Sequence, residues 1–196
     1  MKPEIIILAA GNSSRLGKPK QLLNYKGKTL LQTVIDEALK TAGATVTVVL
    51  GAYADEILAK HQNDQVNFVI NKNWESGMAS GIAAGISAVI EKNDKTESII
   101  IAVADQVFIK MSTFNHLIEK HQETGKNIIA SAYAGTIGTP VLFGKQYFDA
   151  LLALKGTDGA KKILKQHQQD VETVVFDGGE TDIDTETDYN NLISQE

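Results

Sequence analysis

Cysteine is absent from the 196 residues. That excludes disulfides, thiolate metal sites and cysteine nucleophiles, and is compatible with a reducing cytoplasm. Proline is scarce, at three residues, and no Pro/Ser-rich linker or repeat divides the chain, so a single domain spanning 1–196 is expected. No apolar run approaches the ~20 residues of a membrane-spanning helix. Pro3-Glu4 precedes a short apolar run, Ile5–Leu8, that is too brief for the core of a secretory signal. These absences predict a cytoplasmic protein with no membrane partner. An excess of basic charge is also missing: the formal net charge is −5, which argues against a general nucleic-acid surface and leaves room for a local basic site. No histidine pair stands at metal-ligand spacing beside an acid cluster, and no Ser-His-Asp arrangement is readable. His61, His116, His121 and His167 fall in helical stretches of mixed polarity and are expected at the surface.

What is present is an ordinary globular composition, 43% hydrophobic and 22% charged, in a chain long enough for one well-buried core. Apolar, β-rich runs recur at Ile5–Ala10, Val46–Leu50, Val66–Ile70, Ile99–Ala104, Ile128–Ala132, Val141–Phe143 and Val171–Phe176. Helical patterns lie between most of them: Thr29–Thr41, with apolar residues at i, i+3 and i+4 and Gly43 just beyond, then Asp55–His61, Met78–Glu91, Ser112–Glu123, Tyr147–Leu154 and Gly159–Gln168. Strands that are apolar at nearly every position predict a sheet covered on both faces. Strand alternating with helix predicts an α/β fold, a three-layer α/β/α sandwich around a mostly parallel mixed sheet. In such sheets ligands sit beyond the carboxyl ends of the strands, and the chemistry-bearing residues fall there.

The first strand runs directly into Leu8–Leu23, LAAGNSSRLGKPKQLL. Two glycines and two serines suit close approach of the backbone to phosphate, with Gly11 and Gly17 expected at positive φ, and Arg15, Lys18 and Lys20 supply charge. A Walker A loop has four residues between its glycines, then Lys and Ser/Thr; here five separate Gly11 from Gly17, and Pro19 follows Lys18. The dinucleotide fingerprint needs glycine where Ser13 stands. The loop is therefore a phosphate loop of a third kind, or else a plain surface connection. Further on, Asp105-Gln106 closes the apolar run Ile99–Ala104. A carboxylate there can hold a divalent cation against a triphosphate, or cap the next turn. In the late segment Asp182 and Asp184 are two apart and face the same way if extended, while Asp184 or Thr185 can also start a helix. Asp188 reads as the structural member of that group. Asn71–Gly85, NKNWESGMASGIAAG, opens a helix whose small residues permit close approach either to a ligand or to the sheet, and the single Trp74 reads best as a packing anchor.

LAAG-x-SSR-x-G-x-PKQLL resembles the signature loop of small nucleotidyltransferases with a glycosyltransferase-A-like, Rossmann-like fold, and its ending is most similar to the molybdenum cofactor cytidylyltransferases. The other motifs resemble that family in the same order. ADQ at Ala104–Gln106 is similar to its ADQP, with Val107 in place of proline. Asn71, Trp74, Gly77-Met78 and Ser80 match N-x-x-W-x-x-GM-x-S. YAGTIGTPVLF at Tyr133–Phe143 and KGTDGAK at Lys155–Lys161 are similar to its acceptor-side segments, with Lys161 for arginine. The late DIDTETDY matches DIDT-x-x-D-Y. The resemblance spans Ile5 to Leu192.

It implies transfer of CMP from CTP to the phosphate of a molybdenum-bearing pterin, with release of pyrophosphate. Arg15, Lys20 and Asp105 would be catalytic. The nucleotide would lie on Leu8, Ala9, Ala10, Gly11, Asn12, Ser13, Ser14, Arg15, Lys20, Asn71, Gly77, Met78, Ala79, Ser80 and Asp105. Mg2+, replaceable by Mn2+, would be held by Asp105 and Asp184, with Asp182 in reserve. Residues 107–181 would shape the acceptor pocket, with Gln106, Gly138, Pro140 and Lys161 in contact. A monomer or weak dimer is implied, with docking to a client molybdoenzyme. The guanylyl branch usually reads LAGG and ends in Asp-Lys, so Ala10 and Pro19-Lys20-Gln21 favour CTP. Methylerythritol-phosphate cytidylyltransferases share LAAG and PKQ but have a longer loop. A carrier that only delivers the cofactor would have no need of a metal-triphosphate site.

Overall fold

The computed structural model describes residues 3–61 and 63–194. Strand β1 (Glu4–Ala9) shows why an unbroken apolar run becomes a central strand. Alternate side chains leave opposite faces, so Ile5 and Ile7 enter one core layer and Ile6 the other, all three fully buried. The chain continues through a 3-10 turn at Lys20–Leu22 and the two-residue strands β2 (Asn24–Tyr25) and β3 (Lys28–Thr29) to α1 (Leu30–Leu39). Then follow β4 (Thr45–Leu50), α2 (Ala54–Lys60), β5 (Val66–Ile70), α3 (Met78–Lys92), β6 (Ser98–Val103) and α4 (Met111–Thr124). The last part is β7 (Ile128–Tyr133), β8 (Thr136–Gly144), α5 (Phe148–Leu152), α6 (Ala160–Gln166), β9 (Val171–Val175) and α7 (Glu186–Ile193).

Seven of the strands form one sheet in the order β5-β4-β1-β6-β8-β7-β9. β8 runs antiparallel to β6 and β7, and the remaining pairs are parallel. Helices α1, α2 and α4 cover one face, while α3, α5 and α6 cover the other. The expected three-layer α/β architecture with a mostly parallel mixed sheet is what forms. Helix α3 is rich in glycine because it lies hard on that sheet. A Cβ at Gly85 would stand 2.6 Å from the Ile6 Cγ2 and 3.0 Å from the Val49 Cγ2.

A third, smaller cluster joins Leu23, Tyr25 and Leu30 to Val107, Ile183 and Leu192. It seats the late segment and α7 against the outside of the loop that follows β1. Thr185 caps α7, its hydroxyl accepting from the Asp188 N–H, while the Asp188 carboxylate accepts from the Thr185 N–H. Asp188 is structural, as the sequence indicates.

Several expectations need correction. β8 is nine residues long rather than Val141–Phe143. Its first part pairs only with β7, across a tight turn at Ala134-Gly135 with both φ positive (44° and 73°) and a register shift at Ala130/Ser131, so it lacks the apolar signature of a central strand. α5 and α6 are shorter than Tyr147–Leu154 and Gly159–Gln168, because 3-10 turns at Lys145–Tyr147 and Gln168–Asp170 take up part of each. His61 is not a surface residue. It is buried, with Nδ1 2.9 Å from Gln32 Oε1 and Nε2 3.1 Å from Thr29 Oγ1, tying the end of α2 to the start of α1. His116 and His167 are exposed and His121 is half-buried.

Candidate active site

The loop after β1 is held from two directions. At its tip, Ser13 takes a positive φ of 49° and its carbonyl accepts from the Leu16 and Gly17 N–H groups, while its hydroxyl accepts from the Lys20 N–H at 3.1 Å. Gly17 has the expected positive φ (68°); Gly11 does not, and Ser13 makes that turn in its place. A Cβ on Gly11 would meet nothing within 4 Å, so its backbone borders open space. At the root, the buried Gln21 donates from Nε2 to the carbonyls of Ala9 (2.9 Å) and Gly11 (3.1 Å). Those two bonds set the loop against the 3-10 turn that carries Lys20.

Between this loop and the start of α3 lies a cleft of about 400 Å³. Leu8, Ala9, Ala10, Gly11 and Asn12 form one wall, Gly77 and Met78 the other, and Lys20 and Asp105 lie at its base. Gly77 is required where it stands: φ is 96°, and a Cβ would sit 2.4 Å from the Gly156 carbonyl oxygen. Met78 overhangs the cleft at 51% exposure. Three other expected nucleotide residues stand behind this wall. Asn71 donates to Ser80 Oγ (2.8 Å), the Ser80 hydroxyl contacts the Asn73 and Gly77 carbonyls, and the Ala79 N–H donates to the Gly156 carbonyl. Ser13, Ser14 and Arg15 belong to the loop tip, outside the cleft lining.

β6 delivers Asp105 to the base of the cleft, and the late segment delivers Asp184 opposite it. Lys20 Nζ lies between them, 2.5 Å from Asp105 Oδ2 and 2.9 Å from Asp184 Oδ1. Arg15, the only arginine in the chain, pairs with the other Asp184 oxygen at 2.8 Å. Burial would lower the Lys20 pKa, but the charges and hydrogen bonds of Asp105 and Asp184 outweigh it and raise the pKa above the ordinary lysine range. The Lys20 hydrogen bond in turn lowers the Asp184 pKa against the effect of burial. Asp182 keeps an exposed side; partial desolvation and then repulsion from Asp105 raise its pKa. Ile183, fully buried between the two acids, enters the third cluster, and alternation along an extended segment turns both acids to the opposite side of it.

Oxygen donors that already hold positive charge between them fit a hard divalent cation, which takes one or two carboxylates and completes its shell with phosphate oxygens and water. Among the described residues no group of three histidine, cysteine or acidic side chains is arranged as a metal site, so protein ligands alone do not complete such a shell. Val107, in the place of the proline, donates its N–H to the Asp105 carbonyl at 3.0 Å. Proline has no such donor, so this bond depends on the residue being Val107.

The expected acceptor residues are mostly backing. Gln106 is buried, donating to the Thr139 and Gly179 carbonyls. Gly138 and Pro140 are buried in β8, and a Cβ on Gly138 would strike the Tyr133 hydroxyl at 2.3 Å. Lys161 is exposed in front of them. Gln21, which lines the cleft and anchors the loop, is the residue to which the sequence assigns no contact. Its place within the loop motif was the available signal.

The chain resembles several known proteins over most of its length. The chain is 31% identical over 171 residues to nicotine blue oxidoreductase of Paenarthrobacter nicotinovorans, covering 82% of this chain and 80% of that one. It is 27% identical over 204 residues to purine catabolism protein PucB of Bacillus subtilis (strain 168), covering 94% and 93%. The crystal structure of Rv0371c from Mycobacterium tuberculosis H37Rv overlays with a TM-score of 0.86 at 28% identity, over 98% of this chain and 97% of that one. A second structure of that protein, in complex with manganese, overlays at 0.84 with 24% identity and full coverage of both. The family described as the MobA-like NTP transferase domain matches residues 5–171, a span that includes the loop, the cleft and Asp105. As that match covers most of the chain, the chain belongs to the MobA-like NTP transferases.

Proposed function

We propose that the chain transfers CMP from CTP to the phosphate of a molybdenum-bearing pterin cofactor and releases pyrophosphate. The observation that carries this reading is the Lys20 ammonium held between Asp105 and Asp184 at the base of a cleft walled by the loop after β1. That arrangement suits a metal-bound triphosphate and has no use in a protein that merely carries the cofactor. An acceptor phosphate oxygen attacks the α-phosphorus in line. The new O–P bond forms as the bond to the pyrophosphate bridging oxygen breaks, and that electron pair leaves on pyrophosphate. No general base is needed, because a phosphate nucleophile is already ionised near neutral pH.

The work of the protein is positioning and charge neutralisation. The main-chain N–H groups of Gly11 to Ser14 cradle the triphosphate, and Arg15 and Lys20 balance its charge. Leu8, Ala9 and Ala10 on one side and Gly77 and Met78 on the other enclose the base and ribose. Asp105 and Asp184 would hold Mg2+ or Mn2+, which supplies Lewis acidity and neutralises the triphosphate; the manganese complex of Rv0371c supports divalent-metal use. Ala10 and the Pro19-Lys20-Gln21 ending support cytosine over guanine. Lys161 would meet the acceptor as a point charge, without the bidentate geometry of arginine.

Calorimetric titration with CTP and with GTP, each with Mg2+ and with EDTA, tests the reading. Mg2+-dependent binding of CTP in preference to GTP is expected. Preference for GTP moves the protein to the guanylyl branch, and binding of neither, even with the pterin acceptor present, overturns nucleotidyl transfer.

A further inference from the structure

The residues proposed to hold a divalent cation are already satisfied without one. Lys20 Nζ approaches one oxygen of Asp105 and one of Asp184, and Arg15 takes the second oxygen of Asp184. Two cations thus cancel two carboxylates, in a setting where the side chains of Lys20 and Asp105 are only 19% and 10% exposed. Charges so shielded interact more strongly than at an open surface. We infer that Lys20 is the resting occupant of the divalent-cation position, so that metal ion and nucleoside triphosphate are bound well together and poorly apart. This inference rests on the nucleotidyl-transfer reading of the same site.

The argument is electrostatic exchange. A divalent cation arriving alone must displace Lys20, leaving that ammonium and the Arg15 guanidinium without their carboxylates beside the incoming charge. A triphosphate arriving alone can attract Lys20 and Arg15 only by stripping them from Asp105 and Asp184, which then face its negative charge together with the nearby Asp182. When both arrive, each partner of the ion pairs receives a replacement: phosphate oxygens for Lys20 and Arg15, the metal ion for the two carboxylates.

The local structure suits such an exchange. The Lys20 backbone is fixed by its N–H bond to Ser13 Oγ and by the 3-10 turn anchored at Gln21, so only the four-carbon stem has to swing. The Arg15 side chain is 70% exposed and can turn without repacking. Arg15 is thus open to solvent and Lys20 has only its stem to move, while the roots of both stay in place.

The test is a titration of the full chain with Mn2+ alone, following free Mn2+ by its paramagnetic resonance signal, in wild type and in Lys20→Met, with Lys20→Gln as a second variant. Each is repeated with CTP, and thermal melts check folding. Wild type should bind Mn2+ at least about tenfold more tightly with CTP than without it, within the usual range of coupling between two ligands. Lys20→Met should bind Mn2+ alone about tenfold more tightly than wild type, while binding CTP less well. Equal Mn2+ affinity in wild type and a folded Lys20→Met, or in wild type with and without bound CTP, overturns the inference. If neither variant folds, the wild-type pair of titrations, corrected by a protein-free titration of CTP with Mn2+, still decides. Loss of CTP binding under every condition sinks the cytidylyl reading instead, and the comparison of Mn2+ alone, which contains no nucleotide, separates that failure from this one.

Discussion

On the loop side of Asp105, the bonds that hold the loop to its own 3-10 turn close over short distances in sequence: Lys20 to Ser13 across seven residues, Gln21 to Ala9 and Gly11 across twelve and ten. On the β8 side, where the acceptor is proposed to lie, they do not. Gln106 reaches Thr139 across 33 residues and Gly179 across 73, and the Gly138 backbone lies against Tyr133 with Lys161 beyond it. One wall is a motif; the other is an assembly of strands β7 and β8 with the late segment. A local wall can be disturbed by one substitution without disturbing the sheet, whereas the assembled wall depends on anchors remote from any ligand.

The largest expected effect comes from the residue both sides share. Asp105→Asn keeps the shape and removes the charge, and should lower the transfer rate by at least about 100-fold, the equivalent of about 3 kcal/mol for one electrostatic transition-state contact. Pyrophosphate release with CTP and the pterin acceptor measures it, and undiminished turnover in a folded variant would remove Asp105 from the mechanism. Next is Ile183→Ala, which empties a fully buried position under Asp182 and Asp184. About 3 kcal/mol should be lost in urea unfolding, with nucleotide affinity falling as Asp184 loses its place. Retention of full affinity would show that the late segment does not set the site.

Gln21→Leu acts on the loop wall alone. It leaves the Ala9 and Gly11 carbonyls without their donor, at a cost of about 2 kcal/mol, and should weaken nucleotide binding while leaving the KM for the acceptor unchanged. An equal change in both constants would erase the distinction between the walls. The smallest effect lies outside both. Burial lowers the His61 pKa from its ordinary value of 6.5. The unfolded chain therefore binds that proton more readily than the folded one, so stability is complete above about pH 6.5 and declines as the pH falls through the window below it. Melting temperatures from about pH 8 to about pH 5.5 should show this decline, and His61→Gln should flatten it. A slope unchanged in the variant would assign the decline to other groups.

How much was legible in the sequence follows the same division. The alternation of Ile5, Ile6 and Ile7 into two layers, the stop after α1, the capping by Thr185 and the aim of Asp182 and Asp184 all depend on periods of two to four residues, and these a sequence displays. The first half of β8 was invisible because Thr136–Thr139 pair only with β7 and carry no apolar signature. His61 looked like a surface residue because its burial depends on Gln32 and Thr29, about thirty positions away. Gln106 looked like a ligand contact because it follows Asp105; the carbonyls that capture it arrive from β8 and from the segment after β9. Gln21 is the instructive case, a residue inside a recognised motif whose two bonds to the loop could not be read from its neighbours.

The partners that meet at the candidate site are made at very different times. Lys20 and Asp184 are 164 positions apart, as Tyr189 and Asn24 are by 165. During synthesis the loop after β1 emerges early and must wait, with its cations unbalanced, for almost the whole sheet to be built. Contacts of such long span are slow to form and contribute only when most of the chain is in place. If the proposed site holds the nucleotide, nucleotide binding reports the completion of folding: a chain that stops short of Asp184 lacks the carboxylate that pairs with Arg15 and one of the two that flank Lys20.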